Sequence, residues 1–203
     1  NAGVQPFDGN TVFEIGSITK TFTASILADM VKKGEVSLDD PVARYLPPGT
    51  VTPQRDGKQI TLLDLATQSS GLPGMPDNFA PKDRTNPYAD YTVAQMYEFL
   101  GRYQLPRGIG EKYEYSNLGV GLLGHALSLR AGRDYESVVT ARVLKPLGMK
   151  DTRITLTSSL QQRLAPGHGP DGSAAHTWDL PTLAGAGALR STVNDMLIYV
   201  RAN

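Results

Sequence analysis

The sequence predicts a mainly α-helical fold with minor β structure. Three observations carry this reading. Apolar residues recur every fourth position through residues 18–33. Thr-x-x-Asp at Thr61 and Thr-x-x-Gln at Thr92 have the form of capping boxes. Only two short segments, 11–14 and 153–156, have strand character.

The elements follow in chain order. Ile18, Phe22, Ile26 and Met30, with Leu27 and Val31 beside them, predict a helix over 18–33 that stops at Gly34. The stretch Ser37-Leu38-Asp39-Asp40-Pro41 starts a short helical piece ending near Leu46, and Pro47-Pro48-Gly49 breaks it. Thr61 caps a short helix through Ala66. The Pro-, Asn- and Asp-rich residues 73–91 read as a long loop of the kind that serves as a lid or binding loop. Thr92 opens a helix carrying Val93, Met96, Tyr97 and Leu100. Residues 117–131 form a buried helix ending before Gly132, and Asp134 caps another that runs to Leu144 and stops before Pro146. Ser191 caps a last helix with Val193, Leu197 and Val200 turned inward.

Composition narrows the function classes. The chain has 203 residues, 40% hydrophobic and 20% charged, enough to bury a core. Its formal net charge is zero, which argues against a general nucleic-acid surface. No run of about 18 apolar residues marks a membrane segment. No signal peptide is visible, and the first residue is Asn1 rather than Met. Cysteine is absent, which excludes disulfides, thiolate metal sites and a cysteine nucleophile.

Two clusters carry chemistry. Ser17 and Lys20 stand three residues apart where a helix begins, so they share a face. A serine needs a neighbouring base to become a nucleophile, and a lysine serves only if burial or nearby charge lowers its pKa. The spacing is weak by itself, since about one Ser-x-x-Lys is expected by chance in a chain of this size. The second cluster is Tyr115-Ser116-Asn117, between the turn at Pro106-Arg107-Gly108 and the buried helix. A phenol near a lysine ionises more readily, and a carboxamide offers a donor and an acceptor to an amide substrate.

With both clusters in view, the chain resembles a known family. Phe13-Glu14-Ile15-Gly16-Ser17-x-x-Lys20 and Tyr115-Ser116-Asn117 are similar to the first two motifs of class C β-lactamases and their penicillin-binding and esterase relatives. Gln68-Ser69-Ser70-Gly71-Leu72-Pro73 resembles a family segment in which His is frequent at the first position. Lys145-Pro146-Leu147-Gly148-Met149-Lys150-Asp151-Thr152 and the segment from Gly187 to Met196 resemble two more, all in family order.

The resemblance implies the helical portion of a fold that pairs an α/β sheet domain with an all-α domain. Residues 1–203 would form a single partial domain truncated at both ends. Its helical subdomain would span about 36–190, with 1–35 and 191–203 packing on a sheet outside this chain. It implies a serine hydrolase that forms an acyl-enzyme on a β-lactam, ester or D-amino peptide carbonyl. Ser17 would be the nucleophile and Lys20 its proton acceptor or relay. Tyr115 would be the general base or relay, and Asn117 would orient the substrate amide or ester. The Ser17 N–H would give half of an oxyanion hole, where one donor is worth roughly 3–4 kcal/mol of barrier. No cofactor or metal is implied. The partners would be a small-molecule or peptide substrate and, for a truncated chain, a complementing fragment. The setting would be periplasmic or secreted. The family's third motif, Lys-Thr-Gly or His-Thr-Gly, does not occur; His176-Thr177-Trp178 comes nearest.

Other readings of the same residues stay open at this point. The chain could be a non-catalytic peptide- or cell-wall-binding module that keeps the family cleft, or an inactive fragment. Ser17 could cap a helix beside a surface lysine, and Tyr115 and Asn117 could be a packing residue and a cap. Gly119-x-Gly121-x-x-Gly124 matches a dinucleotide fingerprint but follows no apolar strand, so close helix packing explains it better. His125, His168 and His176 match no zinc spacing, the last two lying in a Gly-rich loop. Asp39-Asp40 reads as a turn, and no Gly-x-Ser-x-Gly elbow exists.

Overall fold

The computed structural model describes residues 6–203. Helices dominate, and the strands are short. β1 (Val12–Glu14) leads into a 3₁₀ turn at Gly16–Ile18 and then α1 (Thr19–Lys32), which buries Phe22, Ile26, Leu27 and Met30. A 3₁₀ turn at Val42–Tyr45 follows, then a small hairpin of β2 (Gln54–Arg55) and β3 (Lys58–Gln59). α2 (Leu62–Ala66) and α3 (Val93–Arg102) both open on full capping boxes, with Thr61 and Asp64, and Thr92 and Gln95, exchanging side-chain and backbone hydrogen bonds. Residues 73–91 between them carry no regular element beyond turns.

α4 (Asn117–Ala131) is buried nearly all round and forms the centre of the molecule, as expected of a helix apolar on every side. Ser116, not Asn117, caps it, accepting from the Gly119 N–H at 2.8 Å, which leaves the Asn117 side chain free of capping. α5 (Tyr135–Val139) is capped by Asp134 and passes through a π turn (Thr140–Leu144) into α6 (Lys145–Leu147). The predicted stop before Pro146 is therefore corrected. The wider π turn accommodates a proline that can give no N–H to the preceding turn.

After α7 (Ser158–Gln161), a second hairpin joins β4 (Gly167–His168) to β5 (Ala174–Ala175), where the sequence suggested only a loop. α8 (Ala184–Gly187) is a single turn. β6 (Arg190–Thr192) returns antiparallel to β1, pairing Phe13 with Ser191, and α9 (Val193–Ala202) follows. No helix among the described residues is long and apolar enough to cross a membrane.

Two further expectations are corrected. Residues 153–156 form no strand. Arg153 makes one bridge to Arg190, and the next two N–H groups, of Ile154 and Thr155, are taken by the Glu136 carboxylate at 2.8 Å each, which ends the ladder. In α9, Thr192 is the cap, because its Oγ1 accepts from the Asp195 N–H at 3.2 Å, while the Ser191 hydroxyl bonds Thr152. The stripe of Val193, Leu197 and Val200 faces outward, 49%, 49% and 67% exposed. The inward face is Asp195, which accepts from Asp151 N and Thr152 Oγ1, and Tyr199, which stacks on Phe22 at 4.0 Å.

Glycines let α4 and α8 touch backbone to backbone. A Cβ placed at Gly124 would lie 2.9 Å from Gly185 Cα, and one at Gly121 would lie 3.2 Å from Leu183 Cα. The Gly-x-Gly-x-x-Gly run is thus a packing surface. Gly124→Ala should force the two helices apart and cost about 1–3 kcal/mol, read as a lower midpoint in urea denaturation. An unchanged midpoint would show that the contact is dispensable.

Candidate active site

Ser17 sits in the 3₁₀ turn between β1 and α1. Gly16 has φ +49°, a conformation that side chains on L residues resist, and this lets the chain pass from strand to helix in one step. Ile15 N–H bonds Leu189 O at 3.1 Å, so the approach to Ser17 is tied to the link between α8 and β6. The Ser17 N–H lies in the first turn of helical backbone, where no intrahelical acceptor exists.

One turn on, Lys20 Nζ donates to three oxygens: Ser17 Oγ at 3.0 Å, Asn117 Oδ1 at 2.7 Å and Ala186 O at 2.6 Å. Those contacts use all three hydrogens of an ammonium. The Tyr115 hydroxyl lies 2.5 Å from Ser17 Oγ, and Lys20 Nζ stands 4.8 Å from the centroid of the Tyr115 ring. All four residues singled out from the sequence meet at one point.

Burial pushes the Lys20 amine below its ordinary pKa, opposed by its interaction with Tyr115. Burial would raise the Tyr115 phenol, but hydrogen bonding to Lys20 and Ser17 and the lysine charge outweigh it, so Tyr115 lies below the ordinary phenol value. Each partner is thus biased toward surrendering its proton.

Gln68 holds the second cluster in place. Its side-chain Oε1 accepts from Ser116 N at 2.8 Å, and its carbonyl accepts from Glu114 N at 2.7 Å, so it grips the chain on either side of Tyr115. Gln68 itself is buried with φ +62°, an unusual conformation for a non-glycine residue and one the surrounding bonds enforce. Ser116 Oγ donates to Pro73 O at 2.6 Å, and Asn117 N to Gly74 O at 3.0 Å. The segment from Gln68 to Pro73 is the scaffold of the Tyr-Ser-Asn cluster.

Ser17 and Asn117 open into a cleft of about 450 Å³ whose far wall includes Tyr88, His168, His176 and Trp178. Tyr88 and Trp178 pack at 5.4 Å between ring centroids. Asn86 and Asp179 exchange two hydrogen bonds beside them, at 2.8 and 2.9 Å. Sequence reasoning missed this wall and the Ala186 carbonyl. Its available signals were a tyrosine inside the long 73–91 loop and the chain's single tryptophan.

The β-lactamase family model matches residues 1–203. The chain belongs to the serine β-lactamase family. It is 32% identical over 192 residues to the D-alanyl-D-alanine carboxypeptidase/endopeptidase AmpH of Escherichia coli K12, covering 95% of this chain and 49% of that protein. Among solved structures, a β-lactamase/D-alanine carboxypeptidase from Yersinia pestis complexed with citrate superposes with a TM-score of 0.86 at 32% identity. The match covers 98% of this chain and 55% of that one. A class C β-lactamase superposes with a TM-score of 0.80 at 28% identity, over 98% of this chain and 52% of that one. The chain spans about half the length of the curated relatives it matches.

The coupling between Lys20 and Tyr115 has a measurable sign. A folded-state pKa below the unfolded one means that Tyr115 ionisation favours the fold above the unfolded phenol's pKa. That contribution is lost as pH falls through the folded value. Ultraviolet difference titration of wild type against Tyr115→Phe should place Tyr115 below the ordinary phenol pKa of about 10. Lys20→Met should move it back up, since the cation that favours phenolate is gone. A Tyr115 titration unmoved by Lys20→Met would refute the coupling.

Proposed function

We propose that this protein is a serine hydrolase that works through an acyl-enzyme at Ser17. The supporting observation is that one oxygen, Ser17 Oγ, is contacted at once by a lowered-pKa phenol at 2.5 Å and a lowered-pKa amine at 3.0 Å. A serine in that setting can lose its proton as it attacks, which a capping serine cannot.

The steps follow from the contacts. Ser17 Oγ attacks a carbonyl carbon while its proton passes to the Tyr115 oxygen, with the Lys20 ammonium favouring the phenolate until then. The carbonyl oxygen becomes an oxyanion beside the Ser17 N–H. Tyr115 then returns the proton to the leaving nitrogen or oxygen, and the acyl group stays on Ser17. Water enters, gives its proton to Tyr115 and attacks the ester. Collapse releases the acid, and the proton returns to Ser17. With Asn117 Oδ1 committed to Lys20, its Nδ2 is the group left to orient a substrate carbonyl.

The substrate class is a β-lactam, an ester or a D-amino peptide, in line with relatives named as β-lactamases and D-alanine carboxypeptidases. The aromatic wall of Tyr88 and Trp178 would take the apolar, non-reacting part of such a substrate. A periplasmic or secreted setting belongs to the same proposal. A purely ligand-binding module finds no support, because binding alone gives no reason to crowd a phenol and an amine onto one serine.

Intact-mass measurement after exposure to a fluorescent penicillin and to a fluorophosphonate tests this. A stoichiometric adduct is expected, and Ser17→Ala should abolish it. Tyr115→Phe should slow acylation by roughly 10²–10⁴-fold. A folded sample that neither probe modifies would overturn the proposal.

A further inference from the structure

We propose that Thr23 and Tyr135 are positioning residues that fix the α8 turn, so that the Ala186 carbonyl holds the Lys20 amine against Ser17. This rests on the serine-hydrolase reading and extends it to two side chains that touch neither Ser17 nor the cleft.

Thr23 lies on α1 one turn beyond Lys20 and is fully buried. Its Oγ1 is 2.8 Å from Gly185 O and 2.7 Å from the Tyr135 hydroxyl. A threonine hydroxyl has one hydrogen, and a carbonyl can only accept. Thr23 therefore donates to Gly185, and Tyr135 donates to Thr23. The direction is fixed: Tyr135 O–H to Thr23 Oγ1, Thr23 O–H to Gly185 O. Tyr135 is itself buried, and that burial pushes its phenol far above the ordinary value, so the donor at the head of the chain stays protonated.

The next carbonyl along the backbone is that of Ala186, 2.6 Å from Lys20 Nζ. α8 consists of Ala184, Gly185, Ala186 and Gly187. A single turn of helix is not stable alone, and side chains this small cannot anchor it. Its placement comes from outside, from the backbone contact of Gly185 with Gly124 and from the Thr23 hydroxyl. Without that hydroxyl, the Gly185 carbonyl is left buried and short of a donor. The turn then gains by rotating toward another partner, and the Ala186 carbonyl leaves Lys20 with it. The titratable group facing Lys20 is Tyr115, while Glu14, His168 and His176 line the cleft beyond Ser17.

The test uses the full-length protein. Single-turnover acylation by a fluorescent penicillin or an activated aryl ester is followed against pH, alongside the melting temperature. Thr23→Val removes the hydroxyl at nearly constant shape, Thr23→Ser restores it, and Tyr135→Phe removes only the first donor. Thr23→Val should slow acylation roughly 10–100-fold with little change in probe affinity, because the geometry around the nucleophile is loosened. Its alkaline limb should move to lower pH, because the active form keeps Lys20 as an ammonium and that ammonium has lost an acceptor that favours it. Tyr135→Phe should shift both in the same directions by less, and Thr23→Ser should stay close to wild type.

A Thr23→Val protein that melts lower but acylates at the wild-type rate, with the wild-type limb, would overturn the proposal and leave Thr23 a packing residue. Should Thr23→Val fail to fold, Tyr135→Phe decides alone: wild-type rate and limb in that variant overturn it. A folded wild type that no acylating probe modifies overturns the hydrolase reading and this proposal with it. A reactive wild type with unaffected variants overturns this proposal only.

Discussion

The structure depends on where one amine is held. Lys20 Nζ bonds its own helix neighbour Ser17, an amide 97 residues away on α4 and a carbonyl 166 residues away on α8. A lysine usually keeps its ammonium in water, and burying it has a cost that falls on the charged form. Here the cost is offset by three acceptors that match its three hydrogens. The residual penalty appears as a lowered pKa. The interaction that closes the fold around α1 therefore also places a cation beside Ser17 and Tyr115.

Bringing three chain segments to one nitrogen constrains residues far from it. α4 must approach α8 closely enough for Asn117 and Ala186 to share the amine, so side chains cannot stand between them. Gly121, Gly124 and Gly185 meet that demand. α1 must keep Lys20 in register, which it does by burying Phe22, Ile26 and Met30. Tyr199 stacks on Phe22 from outside and shares a hydrogen bond with Ser25 at 2.9 Å. α9 thus braces the face of α1 that follows the site, using polar and aromatic groups and leaving its apolar stripe uncovered.

Local features were legible in the sequence. The capping boxes at Thr61 and Thr92 and the α4 helix each depend on residues within one or two turns and form as read, and Ser17 and Lys20 do share a face, in contact at 3.0 Å. Outcomes set by distant partners were not. Periodicity located the apolar stripe of Val193, Leu197 and Val200 but could not say which side is covered. That depended on Asp195 meeting Thr152. The ladder at 153–156 was ended by a glutamate on another helix. At the site, the reacting side chains were visible as letters, whereas the Ala186 carbonyl is a backbone atom that no residue type announces. Gln68 was noticed as part of a segment, but its grip on Ser116 arises from a strained backbone that sequence does not display.

The division of burial between Lys20 and Tyr115 follows from their surroundings. Lys20 is half-buried, and its three hydrogen bonds end on the turn before α1, on α4 and on α8, so it has little freedom. Tyr115 is 43% exposed, and Gln68 holds the backbone of its neighbours on both sides. A proton taken from Ser17 and later delivered to a leaving group must travel between two positions. The fixed amine cannot make that movement without breaking bonds to α4 and α8, whereas the phenol oxygen belongs to a half-exposed side chain and is already bonded to Ser17. In the proposed mechanism the labour divides accordingly: Lys20 sets the electrostatic potential and stays still, and Tyr115 carries the proton.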